Sequence, residues 1–228
     1  MREINDYVQS LVPERPEEVR RMEEQAGRDG FPIIGPACGQ LCYLLTRLIG
    51  ARRIFELGSG YGYSTYWFAR AVRENGGGVV HHTVWNDDLS TRARGHLAAL
   101  GLDDLVEFHV AEAIETLRTV GGEYDLLFCD IDKHAYAEAL AEMDRHLRPG
   151  GLVIFDNVLL HGAVLPSRVA EETSSGSVQG RTSDADDRRR ATRDGVLATT
   201  SALCDGDFWI ASLVPLRDGL AVAMKVPS

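Results

Sequence analysis

Asp130, Asp156 and Asn157 are the residues whose types and positions point most directly to chemistry. Phe128-Cys129-Asp130 and Ile154-Phe155-Asp156-Asn157 each read as an apolar strand running into polar groups. If those strands are neighbours, two carboxylates and an amide oxygen meet on one small patch. Three hard oxygen donors with open positions suit a magnesium-like dication, which keeps waters or accepts substrate oxygens. Zinc would favour His or Cys. The competing reading is that Asp130 caps a helix and Asp156-Asn157 makes a turn. Lys133 follows Asp130 at the start of a helical segment, where the helix dipole favours anions instead. Partial burial beside a dication disfavours an ammonium, which makes Lys133 a usable general base.

A second group of residues points to a cofactor. Arg53-Ile54-Phe55-Glu56-Leu57-Gly58-Ser59-Gly60-Tyr61-Gly62-Tyr63-Ser64 reads as a buried strand, a glycine turn and the start of a helix. The turn glycines let the backbone bend sharply and approach a ligand closely. With Glu56 ahead of Gly58, this is the layout of a nucleoside-cofactor site at the end of a first parallel strand. A dinucleotide fingerprint needs glycine at 63, where Tyr63 stands, so the helix end is crowded for a pyrophosphate. A cofactor with a ribose and no phosphates, S-adenosylmethionine, fits better. A strand-turn-helix without any ligand is the bland alternative.

These residues need a frame. Strand patterns fall at 53–57, 79–85, 105–110, 124–130 and 151–155, with helical patterns between them at 63–73, 89–100, 112–119 and 134–147. That alternation predicts a mostly parallel, doubly wound sheet, whose ligands bind beyond the carboxyl ends of the strands. Those ends read Glu56-Leu57-Gly58, Trp85-Asn86-Asp87-Asp88, Ala111-Glu112-Ala113, Asp130-Ile131-Asp132-Lys133 and Asp156-Asn157. The acids gather on one rim.

The flanks are of other kinds. Residues 3–29 predict two short helices broken at Pro13 and Pro16, and 31–36 a rigid connector. A third helix over 37–49 should bury Leu41, Leu44, Leu45, Leu48 and Ile49. Residues 160–195 are polar, a long loop or insertion that serves as a lid or as a solvated excursion. A helix over 187–204 and two strands at 208–214 and 219–226, joined by Leu216-Arg217-Asp218-Gly219, close the chain. The expected organisation is one domain over 1–228. It carries an N-terminal helical cap over 1–50 and a variable insertion over 160–195 near the acceptor site.

Bulk properties exclude some partners. The 228 residues carry a net charge of −10 and a pI near 5.2, a surface that repels nucleic acid and anionic membranes. No apolar run reaches membrane-span length, and the N-terminus lacks a secretory pattern. A cytoplasmic protein with a small-molecule substrate is the expectation. The four cysteines, at 38, 42, 129 and 204, are expected to be buried and reduced.

Taken together, these segments resemble the cation-dependent O-methyltransferases, the group that includes catechol O-methyltransferase and caffeoyl-CoA O-methyltransferase. The resemblance rests on residues 55–64 and on Leu127-Phe128-Cys129-Asp130-Ile131-Asp132-Lys133 with Tyr136. It extends through Leu147-Arg148-Pro149-Gly150-Gly151, Asp156-Asn157-Val158-Leu159 with His161-Gly162, and Leu216-Arg217-Asp218-Gly219-Leu220. It implies a Rossmann-like class I S-adenosylmethionine-dependent methyltransferase fold, with a seven-stranded, mostly parallel sheet and an antiparallel last strand. Glu56, Gly58, Gly60, Tyr61 and Ser64 are implied to line the cofactor pocket, Ile34 to approach its methionine part, and Ala113 to meet the adenine. Asp130 is implied to touch both cofactor and metal, with Asp156 and Asn157 completing the ligands of Mg²⁺, Mn²⁺ or Ca²⁺ and Lys133 acting as the base. The implied acceptor is a small catechol-like or vicinal-diol hydroxyl compound. The N-terminal helices and the connector are placed to cover the acceptor or to form a homodimer contact.

Two departures stand out. The group has an acid at the end of strand two to grip the ribose hydroxyls, and Trp85 falls at that place here, so either Asp87 or Asp88 substitutes, Asp87 being the first choice, or the ribose is held differently. The polar 163–190 stretch lies where the group builds part of its acceptor pocket. A metal-independent methyltransferase, a nucleotide-binding oxidoreductase and a non-catalytic S-adenosylmethionine-binding module remain the rival readings.

Overall fold

Glycines with positive φ close most of the helices, at Gly30, Gly50, Gly76, Gly101 and Gly121, and so set where the next element begins. In the computed structural model, which describes residues 2–169 and 184–227, the strands are β1 (Arg53–Leu57), β2 (Val79–Val84), β3 (Val106–Val110), β4 (Tyr124–Cys129), β5 (Leu147–Asp156), β6 (Trp209–Val214) and β7 (Leu220–Lys225). They form one sheet in the order β3-β2-β1-β4-β5-β7-β6. All run parallel except β7, which is antiparallel to both neighbours. The doubly wound expectation and the hairpin at the end of the chain are both borne out.

The helices are α1 (Arg2–Ser10), α2 (Glu17–Asp29), α3 (Gly35–Leu48), α4 (Tyr63–Glu74), α5 (Asp87–Ala99), α6 (Ala113–Val120), α7 (Tyr136–His146) and α8 (Asp184–Cys204). Alternate strand residues feed two cores, as the pleat requires. Ile54, Leu126, Phe128, Leu152 and Ile154 face α2, α3 and α4. Phe55, Leu127, Cys129, Val153 and Phe155 face α6, α7 and α8. Burial on both faces is what a central parallel strand demands.

Three expectations need correction. First, α3 buries less of its leucine face than expected: Leu41, Leu45 and Ile49 are half-buried against the core, but Leu48 is 70% exposed and Leu44 is exposed too, while Cys38, Gly39, Cys42 and Thr46 turn inward. The cause is Trp67 of α4, which lies so close that any side chain at Gly39 would collide with its indole. The narrow face of α3 therefore packs most closely, and Leu44 and Leu48 are left outside. Second, β5 begins at Leu147, not 151. Pro149 and Gly150 fall inside a register shift between the pairs Tyr124↔Leu147 and Leu126↔Leu152, so they interrupt pairing without ending the strand. Third, Cys204 is exposed, although Cys38, Cys42 and Cys129 are buried and all four are free.

The predicted 160–195 insertion is partly helical, since α8 begins at Asp184. Residues 170–183, where the expected lid falls, lie outside the described residues. Among the described residues, no helix is long and apolar enough to cross a membrane.

Candidate active site

The order β1-β4-β5 carries Asp130 and Asp156 to adjacent strand ends. Cys129 pairs with Phe155, so the next residue on each strand is one of the two acids. Asp156 is fully buried, and burial together with the charge of Asp130 pushes its carboxyl up to about 6, against the opposing pull of Arg217. Arg217 Nη1 lies 3.7 Å from Asp156 Oδ2 and donates to the Ile33 carbonyl at 2.7 Å. One guanidinium thus ties the 31–36 connector to this rim. Asp156 Oδ1 is buried with no hydrogen-bond partner among the described residues, an arrangement that costs free energy unless some ligand meets it.

Lys133 lies in a 3₁₀ turn, Lys133–Ala135, before α7. Its Nζ donates to Asp130 Oδ1 at 2.6 Å and to the Ile131 carbonyl at 3.1 Å, and sits 5.2 Å from the centre of the Tyr136 ring. The Tyr136 hydroxyl donates to the Asp156 carbonyl at 2.7 Å, bridging the ends of β4 and β5 from below. α8 packs against this turn: a Cβ at Gly195 would stand 2.2 Å from the Lys133 carbonyl oxygen.

Backbone strain collects here. Asn157, Leu160, His161 and Arg217 are the non-glycine residues with positive φ among those described, and all lie in the two loops at this rim. The loops are stitched together: His161 N–H donates to Asp218 Oδ1 at 2.6 Å, Leu159 N–H to the Asp218 carbonyl at 2.8 Å, and Val158 N–H to the Gly219 carbonyl at 3.1 Å. Strained non-glycine residues persist where the surroundings over-determine them, and they cluster at functional sites.

The glycine turn lies beside this patch. Gly58 has φ 87, and a Cβ there would stand 2.5 Å from the Asp130 carbonyl oxygen, so only glycine lets β1 pass so close to the end of β4. Ser59 is held to β2 in both directions: its N–H donates to the Thr83 carbonyl at 2.9 Å, and its hydroxyl accepts from Thr83 N–H at 3.1 Å. Glu56 is fully buried, and burial pushes its carboxyl up to about 7, against hydrogen bonds from Ser64, Thr65 and Ser59 that favour the anion. Thr65 also contacts His82 Nδ1 at 3.0 Å. The Thr65 hydroxyl has one proton, so when it donates to an ionised Glu56, His82 must donate from Nδ1. One oxygen of Glu56, Oε1, is buried without a partner among the described residues.

The remaining predicted residues are placed less uniformly. Ser64 is buried in the first turn of α4, and Ala113 opens α6, whose N-cap Glu112 accepts from Ile114 and Glu115 N–H. Ile34 is buried at the start of α3. Gly60 lies in the turn with φ 52. The Tyr61 side chain points away from the turn, its hydroxyl donating to the Met22 carbonyl at 3.0 Å and its ring stacking near Phe31 and beneath Arg92. Trp85 is 83% exposed, and the Asp87 side chain is exposed in the first turn of α5. Thr65, His82 and Gly195 carried no signal in the sequence, because each acts only through a contact distant along the chain.

Comparison with known proteins agrees with this fold. A methyltransferase-domain model matches residues 55–158. The catechol O-methyltransferase of Niastella koreensis is 29% identical over 180 residues, covering 76% of this chain and 80% of that protein. Caffeoyl-CoA O-methyltransferase 2 of Zea mays is 28% identical, covering 95% of this chain and 80% of its own length. The O-methyltransferase TomG of Streptomyces achromogenes, solved in complex with S-adenosylmethionine, superposes with a TM-score of 0.79 at 26% identity, covering 99% of this chain and 96% of that one. The matched domain, the shared fold and the named relatives indicate an S-adenosylmethionine-dependent O-methyltransferase, similar to the catechol and caffeoyl-CoA enzymes.

Proposed function

We propose that the chain transfers the methyl group of S-adenosylmethionine to one hydroxyl of a small catechol-like or vicinal-diol acceptor, at a divalent cation held by Asp130, Asp156 and Asn157. The observation that carries this reading is the meeting of Asp130, Asp156 and Lys133 at the ends of β4 and β5. The donor set fits the cation: the partnerless Asp156 Oδ1 and the neighbouring Asp130 carboxylate are hard oxygen donors. Mg²⁺ suits them, as do Mn²⁺ and Ca²⁺. When bound, the dication supplies Lewis acidity that lowers the pKa of an acceptor hydroxyl.

The chain's own residues divide the remaining work. Lys133, hydrogen-bonded to Asp130, takes the acceptor proton. Glu56, Gly58, Gly60, Ser64 and Asp130 line the methyl-donor pocket, in which Tyr61 takes part through its backbone alone. The free Glu56 Oε1 is a natural partner for an ammonium group of the donor. Ile34 and the connector close the methionine side, held in place by Arg217, and Ala113 meets the adenine through its backbone. At the end of β2, exposed Trp85 supplies a stacking face and Asp87 the acid for the ribose. A groove of about 560 Å³ lined by Phe31, Pro32, Ile33, Gly35 and Arg217 opens on the connector side and gives the acceptor an approach. The exposed apolar residues Ile4 and Tyr7 on α1, Leu11 just after it, and Leu44 and Leu48 on α3 suit a homodimer contact, which sedimentation would reveal.

The test is incubation with S-adenosylmethionine and a panel of catechols, vicinal diols and monohydroxyl phenols, with products identified by mass. Methylation of the vicinal-dihydroxy compounds supports the proposal. Methylation confined to monohydroxyl compounds, or none at all, overturns it.

A further inference from the structure

The opposite edge of the sheet holds a second constellation, with different chemistry. His81 lies on β2, and Glu107 and His109 lie two apart on the edge strand β3. His81 pairs with Glu107 in the ladder, and Thr83 with His109. Side chains two apart on a strand share a face, so all three groups emerge on the α6 side of the sheet. His81 Nδ1 is 3.1 Å from His109 Nε2 and 3.3 Å from Glu107 Oε2, and the three ligand atoms lie within 4.8 Å of one another. Atoms bound to one zinc-sized ion at about 2.0–2.2 Å each are separated by distances of this order.

We propose that His81, Glu107 and His109 form a second metal site, for a borderline first-row dication such as Zn²⁺, separate from the oxygen-donor site at Asp130 and Asp156. Two imidazole nitrogens and one carboxylate oxygen are a zinc donor set, with a fourth position left for water. The oxygen-only rim selects magnesium-like ions instead. In the strand order, the two sites are separated by three strand spacings, roughly 14 Å at 4.7–4.9 Å each.

Two further observations favour the site. The rings are held in place before any ion arrives: His81 stacks on Phe55 at 5.4 Å and on His109 at 5.4 Å, and its edge meets Tyr124. His81 is fully buried while the Glu107 side chain is 61% exposed, so the site has a preformed inner wall and a solvent path. The Arg53 guanidinium sits over the Tyr124 ring at 5.2 Å; its charge disfavours a cation at His81, and the Glu107 charge opposes it. The ion would tie the edge strand β3 to β2. Beyond β3, residues 111–113 lead to the start of α6.

Co²⁺ is the probe, because nitrogen-ligated tetrahedral Co²⁺ absorbs visibly and octahedral oxygen-ligated Co²⁺ does so only faintly. The full chain is titrated as wild type, as Asp156→Asn, as His109→Ala and as His81→Gln. The proposal expects intense visible bands that saturate at one equivalent in wild type and Asp156→Asn, that vanish on adding Zn²⁺, and that are lost in His109→Ala. His109 is partly exposed, so that variant keeps the test decisive if His81→Gln fails to fold. Absence of the bands in wild type, their persistence in His109→Ala, or their loss in Asp156→Asn overturns the proposal.

Discussion

Lys133 Nζ lies 2.6 Å from Asp130 Oδ1, so the proposed base is bonded to a proposed metal ligand. The contact fixes the amine at the rim where an acceptor hydroxyl would arrive. Lys133→Ala is expected to lower kcat by on the order of 10²–10⁴, with S-adenosylmethionine affinity nearly unchanged. Lys133→Arg should not recover the rate, because a guanidinium does not give up its proton. Steady-state kinetics and a calorimetric titration check both statements. Near-normal turnover in Lys133→Ala would contradict the assignment.

Gly195 controls the same lysine from behind. A Cβ at this position would stand 2.2 Å from the Lys133 carbonyl oxygen and 2.9 Å from the His134 Cα. Gly195→Ala must therefore push α8 and the 3₁₀ turn apart. The expected result is a fall in kcat that exceeds any change in S-adenosylmethionine affinity, since the glycine turn after β1 is not in this contact. Equal losses in both would place the effect in general destabilisation.

Glu56 makes stability depend on pH with a definite sign. Its folded value of about 7 stands above its ordinary 4.5, so the folded state holds a proton that the unfolded state releases. Stability from this group is complete below pH 4.5 and is lost as pH rises through 7, by roughly 3 kcal/mol in all. Buried His82 and His81, lowered to about 3 and about 4, act oppositely: they destabilise the fold as pH falls below 6.5. The informative quantity is thus the difference between wild type and Glu56→Gln in denaturant melts from pH 4.5 to 8. Wild type should lose stability relative to the variant as pH rises. A flat difference would contradict the buried-carboxyl account.

Gly58→Ala combines a strained φ of 87 with a Cβ 2.5 Å from the Asp130 carbonyl oxygen. A positive φ costs an L-residue about 1–2 kcal/mol before any clash is counted. The variant should melt at lower temperature and bind S-adenosylmethionine more weakly, because the clash displaces Asp130 together with the turn. Thermal melts and titration with the cofactor check it, and an unaffected affinity would count against a cofactor role for this turn.

What the sequence reveals here is what local chemistry encodes. The glycine turn, the alternation of strands and helices, and the acids at strand ends are all visible because each is written in consecutive residues. The α3 face is not, because Leu44 and Leu48 follow helical periodicity as well as Cys38 and Cys42 do. Only the position of Trp67 decides which face packs. The Glu56-Thr65-His82 chain and the Tyr136 bridge likewise depend on register between strands and on which helix covers them. His81, Glu107 and His109 are scattered along the sequence and meet only because β3 pairs beside β2. The Trp85 departure was visible, and the structure adds that the indole is exposed at the rim.

The central claim is that Asp130, Asp156 and Asn157 hold a cation needed for methyl transfer, and metal removal tests it most directly. Methyl transfer from S-adenosylmethionine to a catechol is measured after exhaustive chelation, then after Mg²⁺ is restored, in wild type and in Asp156→Ala. The account predicts that chelation abolishes wild-type activity, that Mg²⁺ restores it, and that Asp156→Ala stays inactive at any Mg²⁺ concentration that saturates wild type. Undiminished transfer by the metal-free protein would contradict it.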